Sequence, residues 1–201
     1  MDFRWERPVT AVLDNLGLEE VTLIGLSMGG YFALRASALE NRVMRVIASG
    51  HAYDYMKVAP APAAWLMRFF HDHLRELTNK MSHRKIRKGG MEAWNISHMM
   101  YVLGVDEPMA ALDFAMGLSE ENLHSDLVTQ DVLILASTHD HFIPFRLHEG
   151  QLRRLTSARS VTDRVFSRRE HAHNYCQIGN IGLALEVMHD WILETSMEAA
   201  R

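Results

Sequence analysis

Val21-Thr22-Leu23-Ile24-Gly25-Leu26-Ser27-Met28-Gly29-Gly30 is the stretch on which the reading of this chain turns. Its first four residues are short, apolar and rich in β-branched side chains, the texture of a strand buried on both faces of a parallel sheet. Gly25 ends that run, and Met28 to Leu39 that follows is mostly apolar and helix-compatible. Strand, sharp turn and helix therefore lie in immediate succession, with a serine at the turn. G-x-S-x-G alone is a weak pattern, and between other flanks it would be a glycine-rich turn. In this context it reads as a nucleophile elbow. A serine hydroxyl needs a strained, exposed perch, a base within reach and donors for the oxyanion that forms. Gly25 and Gly29 are expected to let strand and helix backbones approach, and the Met28 amide to supply one oxyanion donor.

Working outward, Pro8 to Leu16 predicts a helix closed by Gly17, and Val43 to Ala48 predicts a second strand, so the unit is strand-helix-strand. After His51 the pattern changes. Pro60 and Pro62 break the chain, then Trp65, Leu66, Phe69, Phe70, Leu74 and Leu77 fall at helical spacings. Further helices are expected over Met91 to Leu103 and Pro108 to Met116, with glycines as breaks. Buried-strand texture returns at Val132 to Ala136 and at Val161 to Phe166, with a helix between them near His148 to Leu155. A last helix is expected from Ile181 to Leu193, its inner face marked by Leu185, Met188, His189 and Ile192. The organisation expected is a core of residues 1–54 and 128–201 interrupted by a helical insertion over 55–127.

Composition narrows the function classes. A chain of 201 residues can close one sizeable core, and its formal charge of −4 provides no global field for nucleic acid. Lys80, Arg84, Lys85, Arg87 and Lys88 make a local basic stretch that reads as solvated surface. No run approaches the roughly 18 apolar residues of a membrane span, and the single cysteine, Cys176, forms no internal disulfide. A reducing cytoplasm is the expected home, with no membrane or nucleic-acid partner. His71 and His73 sit at i and i+2 of a helix and diverge, and the His139-Asp140-His141 cluster lacks zinc spacing, so no metal site is expected. Cys176 reads as a small packing residue. Met67, Met99, Met100 and Tyr101 read as core, with an apolar substrate pocket as the functional alternative.

An elbow serine needs an acid after a later strand and a histidine last in the chain. Asp140 lies four residues beyond the Val132 to Ala136 strand, and His171 and His173 lie beyond the last strand. Leu-Ile-Gly-Leu-Ser-Met-Gly-Gly-Tyr, His-Asp-His-Phe-Ile-Pro and Cys-Gln-Ile-Gly-Asn together resemble α/β-hydrolases of the FrsA-like branch, akin to the dihydroxypseudooxynicotine hydrolases. The resemblance covers most of the chain. It implies a mostly parallel sheet with flanking helices and a helical cap, Ser27 as nucleophile, Asp140 as acid and no cofactor. In that branch the catalytic histidine directly precedes the Cys-Gln element, and here that place is Tyr175. A phenol of ordinary pKa near 10 is a poor acceptor for the serine proton. His173, or His171 further upstream, would have to supply the base.

About two dozen residues precede Ser27, whereas the branch has several strands there and a loop carrying the second oxyanion donor. The fold expected is thus a truncated α/β-hydrolase, with an exposed sheet edge that a late start, a homo-oligomer or another partner would explain. Three functions follow: a serine hydrolase of ester-like or related carbonyl small molecules working through a Ser-Asp-His triad, a catalytically impaired relative serving as a binding protein, or a carbon–carbon bond hydrolase.

Overall fold

The structure, a computed structural model, describes residues 4–199. The chain divides into two compact units, a helical one over Tyr55–Ser119 and a sheet-bearing one formed by the segments before and after it, up to Asp54 and from Glu120.

In the sheet unit, β1 (Val21–Leu26), β2 (Val43–Ser49), β3 (Asp131–Ser137) and β4 (Ser160–Phe166) form one parallel sheet in the order β1-β2-β3-β4. Each strand lies within a residue or two of its predicted bounds, because β-branched runs between glycine and polar breaks leave the boundary little freedom. The register sets Ile24 beside Ile47 and Val46 beside Val132. Strand side chains alternate between faces, and on β2 and β3 both sets are buried: Ile47, Leu133 and Leu135 on one, Val46, Val132 and Ile134 on the other. That two-sided burial is why these strands read as unbroken apolar runs.

Helices α1 (Glu6–Leu16) and α2 (Met28–Ser37) pack on each other, and α2 lies against β1 and β2 with Tyr31, Leu34 and Ala36 fully buried. Trp5 stacks on Phe32 with ring centroids 4.5 Å apart. On α1, Leu13 is buried, whereas Val12 and Leu16 stay exposed.

Beyond the insertion, α7 (Glu120–Leu123) and the 3-10 turn Ser125–Leu127, predicted as the end of the helical insertion, pack in the sheet unit. There α7 lies against α2, and Gln151 of α8 (Phe145–Leu152) donates to Ser125 Oγ at 3.1 Å. On the last helix, α9 (Ile181–Ala199), Met188 is buried and Ile192 packs against the core as expected, whereas Leu185 and His189 are exposed and Ala184 and Trp191 complete the buried face in their place. Trp191 decides the rotation. Its ring joins Ile47, Leu133, Leu135, Phe166 and Ala172 in one cluster, and its indole N–H donates to Thr162 Oγ1 at 2.9 Å.

In the helical unit, α3 (Ala61–His73) and α4 (Arg75–Lys88) meet at Leu74, whose φ of −131° and ψ of 32° interrupt what the spacing suggested was one helix. They are followed by α5 (Met91–Leu103) and α6 (Pro108–Gly117). His71 bridges Asp72 at 2.6 Å and Asp113 at 2.5 Å, and Arg75 holds the same Asp113 at 2.6 Å. Hydrogen bonds to these carboxylates push the His71 imidazole pKa up, so it works as an ion-pair partner tying α3 to α6.

Candidate active site

Ser27 sits between β1 and α2 with φ 58° and ψ −130°, a left-handed conformation that a non-glycine residue adopts at a cost of roughly 1–3 kcal/mol. The strand-to-helix reversal imposes it. Its amide N–H donates to the Ser49 carbonyl at 2.8 Å, prolonging the β1–β2 pairing into the turn. A Cβ on Gly25 would lie 2.1 Å from the Gly29 carbonyl oxygen, and one on Gly30 would lie 2.8 Å from the His51 Cβ. A Cβ on Gly29 would meet nothing within 4 Å. Close approach therefore demands glycine at positions 25 and 30, not at 29 as the bare motif suggests. The Met28 N–H opens α2 and has no acceptor inside its own helix, as at any helix start.

The Ser27 hydroxyl makes its side-chain hydrogen bond with the Tyr175 hydroxyl. Tyr175 packs edge-on against Phe142, with centroids 4.8 Å apart, and against His141 at 6.0 Å. Burial, ahead of all else, pushes its phenol up to about 12, beyond the already unhelpful ordinary value. At neutral pH it is a neutral phenol and no base.

Asp140 lies in the loop after β3, where its Oδ1 accepts the amides of Phe142 at 2.8 Å and Ile143 at 2.9 Å. Burial raises the Asp140 carboxyl, while those two amides and the neighbouring His141 pull it back. Among the described residues, no imidazole hydrogen-bonds to Asp140 or to Ser27. His173 shows its ring edge to His139 at 5.5 Å, its carbonyl accepts the His139 amide at 2.8 Å, and its Nδ1 is buried without a partner. His171 is exposed, with φ 57°, capping the 3-10 turn Arg168–Glu170. The structure thus brings together Ser27, Met28 and Tyr175, with Asp140 near Tyr175, while neither His171 nor His173 makes a hydrogen bond to Ser27 or Asp140. The imidazole in ring contact with Tyr175 is that of His141, a residue weighed in the sequence only as part of a metal-like cluster.

What places Tyr175 is a buried polar chain that motif reading missed. Ser49 Oγ, at the end of β2, donates to Gln177 Oε1 at 2.7 Å, and Gln177 Nε2 donates to Ser137 Oγ, at the end of β3, at 2.9 Å. Ser137 Oγ then donates to the Ala172 carbonyl at 3.0 Å. Gln177 is fully buried and, like Cys176, has positive φ, 54° and 47° respectively. The Cys-Gln element is therefore a clamp on two strand ends that turns its preceding residue over the elbow. The signal available in the sequence was a serine closing each of two apolar strands. Cys176 itself lies against Gly50, where a Cβ would come within 2.8 Å of its sulfur. Burial raises its thiol pKa, so it packs as a neutral group.

No cluster of three or more metal-ligating side chains occurs among the described residues, and no helix there is long and apolar enough to cross a membrane.

No family model matches the chain. Over 121 residues, 52% of this chain, it is 31% identical to hydrolase acrC of Aspergillus aculeatus, and the match spans 27% of that protein's length. Among solved structures it is similar to the α/β hydrolase GrgF from Penicillium sp. sh18, with a TM-score of 0.63 and 14% identity over 94% of this chain and 71% of that one. The 2,6-dihydroxy-pseudo-oxynicotine hydrolase superposes with a TM-score of 0.54 and 19% identity over 82% of this chain and 40% of that one. Est816, described as an N-acyl homoserine lactone degrading enzyme, gives 0.59 and 14% over 92% and 72%. The chain has the α/β-hydrolase fold.

Proposed function

We propose that this chain of α/β-hydrolase fold is a serine hydrolase of ester-like or related carbonyl small molecules, with Ser27 as its nucleophile. The observation that carries the reading is the strained φ of 58° at Ser27, on an elbow where close contacts require glycine at positions 25 and 30. Ser27 Oγ attacks the carbonyl carbon and its proton passes to an imidazole. The Met28 amide donates to the oxyanion, the leaving group departs with a proton, and water releases the acyl group. His173 is the proposed base, its unpaired Nδ1 two residues from Tyr175, and Asp140 the proposed orienting acid. This requires the Tyr175 side chain to leave Ser27 as substrate enters. In this reading residues 55–119 serve as the cap insertion, no cofactor takes part, and the protein works in the cytoplasm.

The Tyr175 contact favours a second reading, a hydrolase relative with an incomplete triad that binds small molecules or a partner. A phenol with a pKa of about 12 is ionised at neutral pH in roughly one molecule in 100,000. Partner binding has its own support. On β1, which among the described residues pairs on one side only, Ile24 is 52% and Leu26 46% exposed, and an unpaired apolar strand edge invites another copy or another chain.

Fluorophosphonate labelling and aryl-ester turnover of the wild type, Ser27→Ala, His173→Ala and Tyr175→His separate the two. The first reading expects Ser27-dependent labelling of the wild type and loss of turnover in His173→Ala. Activity appearing only in Tyr175→His, with a gain on the order of 10²- to 10⁴-fold for a restored general base, supports the second. No labelling in the wild type or in Tyr175→His overturns the assignment of Ser27.

A further inference from the structure

The hydroxyls of Tyr175 and Ser27 share one hydrogen bond, so the phenol oxygen stands beside the oxygen that would attack a substrate. Neighbours hold the phenol ring on several sides. Phe142 lies edge-on at 4.8 Å and His141 at 6.0 Å, and a Cβ on Gly50, just after β2, would come within 3.5 Å of Tyr175 Cε2. The chain of bonds from Ser49 through Gln177 to Ser137 fixes the backbone that follows. The hydroxyl hydrogen still rotates about its C–O bond and selects its acceptor. Leaving Ser27 therefore asks only that the hydroxyl exchange one acceptor for another.

A phenol so placed is an acid rather than a base. Burial pushes it up to about 12, Asp140 and Cys176 push the same way and the Ser27 bond pulls back, so it keeps its proton across the neutral range. Proton transfer in a transition state is favoured when it runs to a stronger base. The alkoxide expelled from an alkyl ester is a stronger base than a phenolate and leaves slowly unless it is protonated. A nitrophenolate is a weak base and leaves unaided. With the Met28 amide serving the oxyanion, the atom on the reacting carbon that still needs a donor is the leaving oxygen.

We infer that Tyr175 is a catalytic acid that gives its hydroxyl proton to the leaving oxygen of an alkyl ester, so that the site favours alcohol over aryl-oxide leaving groups. The inference rests on the hydrolase reading with Ser27 as nucleophile. Its protons balance. As Ser27 Oγ bonds to the carbonyl carbon, the Ser27 proton passes to the His173 imidazole. As the bond from that carbon to the leaving oxygen breaks, the Tyr175 proton passes to that oxygen. The phenolate left behind is a far stronger base than an imidazole and takes up the proton that the imidazolium holds. One proton has then moved from Ser27 to the alcohol, and Tyr175 and His173 are restored.

The test is kcat/KM, which reports the acylation step, for ethyl, trifluoroethyl, phenyl and nitrophenyl acetate. The full chain is assayed as wild type, Ser27→Ala, Tyr175→Phe, and with trifluorotyrosine in place of Tyr175. Tyr175→Phe is expected to lose on the order of 10²- to 10⁴-fold on ethyl acetate, the range for a general acid, and less than about tenfold on nitrophenyl acetate. A merely structural role, or a role as oxyanion donor, would lower both alike. Trifluorotyrosine keeps the hydroxyl but ionises at lower pH. It is expected to sustain ethyl-ester turnover near neutrality and to bring its alkaline fall to lower pH, leaving the nitrophenyl ester unchanged. That readout decides the matter even if Tyr175→Phe does not fold. Equal losses on the two esters in a folded Tyr175→Phe, or an alkaline fall that trifluorotyrosine does not move, overturn the proposal alone, since Ser27-dependent turnover of the wild type still upholds the hydrolase reading. Absence of Ser27-dependent turnover of every ester overturns both.

Discussion

Replacing Gln177 by leucine tests the clamp that holds Tyr175 over the elbow. Leucine is similar in size and carries no branch at Cβ, so it bears the left-handed backbone at this position no worse than glutamine does. Two hydrogen bonds are lost, to Ser49 at 2.7 Å and Ser137 at 2.9 Å, each contributing about 1 kcal/mol net. Ser137 keeps its donation to the Ala172 carbonyl and is not orphaned. Ser49, fully buried, loses the acceptor for its hydroxyl, at a cost of about 1–3 kcal/mol. Burying leucine in place of an amide returns about 1 kcal/mol, so Gln177→Leu should destabilise the protein by about 2–4 kcal/mol. Adding Ser49→Ala removes the orphan, and the double variant should be about 1 kcal/mol more stable than Gln177→Leu alone, although two side chains have been truncated. Equilibrium urea unfolding of the wild type, both single variants and the double variant measures this. A loss below about 0.5 kcal/mol in Gln177→Leu, or a double variant less stable than that single one, would refute the clamp.

Gly25→Ala places a methyl 2.1 Å from the Gly29 carbonyl oxygen and should cost more than about 3 kcal/mol or abolish soluble expression, whereas Gly29→Ala, whose Cβ meets nothing, should stay within about 1 kcal/mol of wild type; thermal melts of the two compare them directly. His71 has its pKa raised by Asp113 and Asp72, so its contribution to stability is complete below the ordinary imidazole value near 6.5 and is lost as pH rises through the higher folded value. The stability gap between wild type and His71→Gln should therefore be widest near pH 6 and narrow as the solution becomes alkaline, and a gap that widened instead would reverse the assignment. His51, fully buried, has the opposite sign: burial lowers it to about 4, so stability should fall as pH drops from about 6.5 toward 4, and His51→Leu should flatten that part of the urea-midpoint profile. Ile24→Lys with Leu26→Lys on the β1 edge should shift the protein toward smaller species in light scattering if that edge is covered by a second copy, and leave the mass unchanged if it is not.

Local chemistry carries far in this chain. Apolar, β-branched runs between glycine or polar breaks mark the four strands, most clearly β2 and β3, where two-sided burial leaves an unbroken apolar signature, and proline and glycine mark the breaks around α5 and α6. The elbow is equally legible, since its strand, serine and helix are consecutive. Helix facing was not so legible. On α9 the pattern placed Leu185 and His189 inward with Met188 and Ile192, and the size of Trp191 with its bond to Thr162 shifts the buried face so that Ala184 and Trp191 replace the first two. Which glycines are obligatory, where the side chains of His171, His173 and His141 lie relative to Ser27, and how Ser49, Gln177 and Ser137 join across 128 residues of chain depend on segments meeting only in the folded molecule. Periodicity reports what one segment buries, and only packing settles which segments share a wall, a hydrogen bond or a proton.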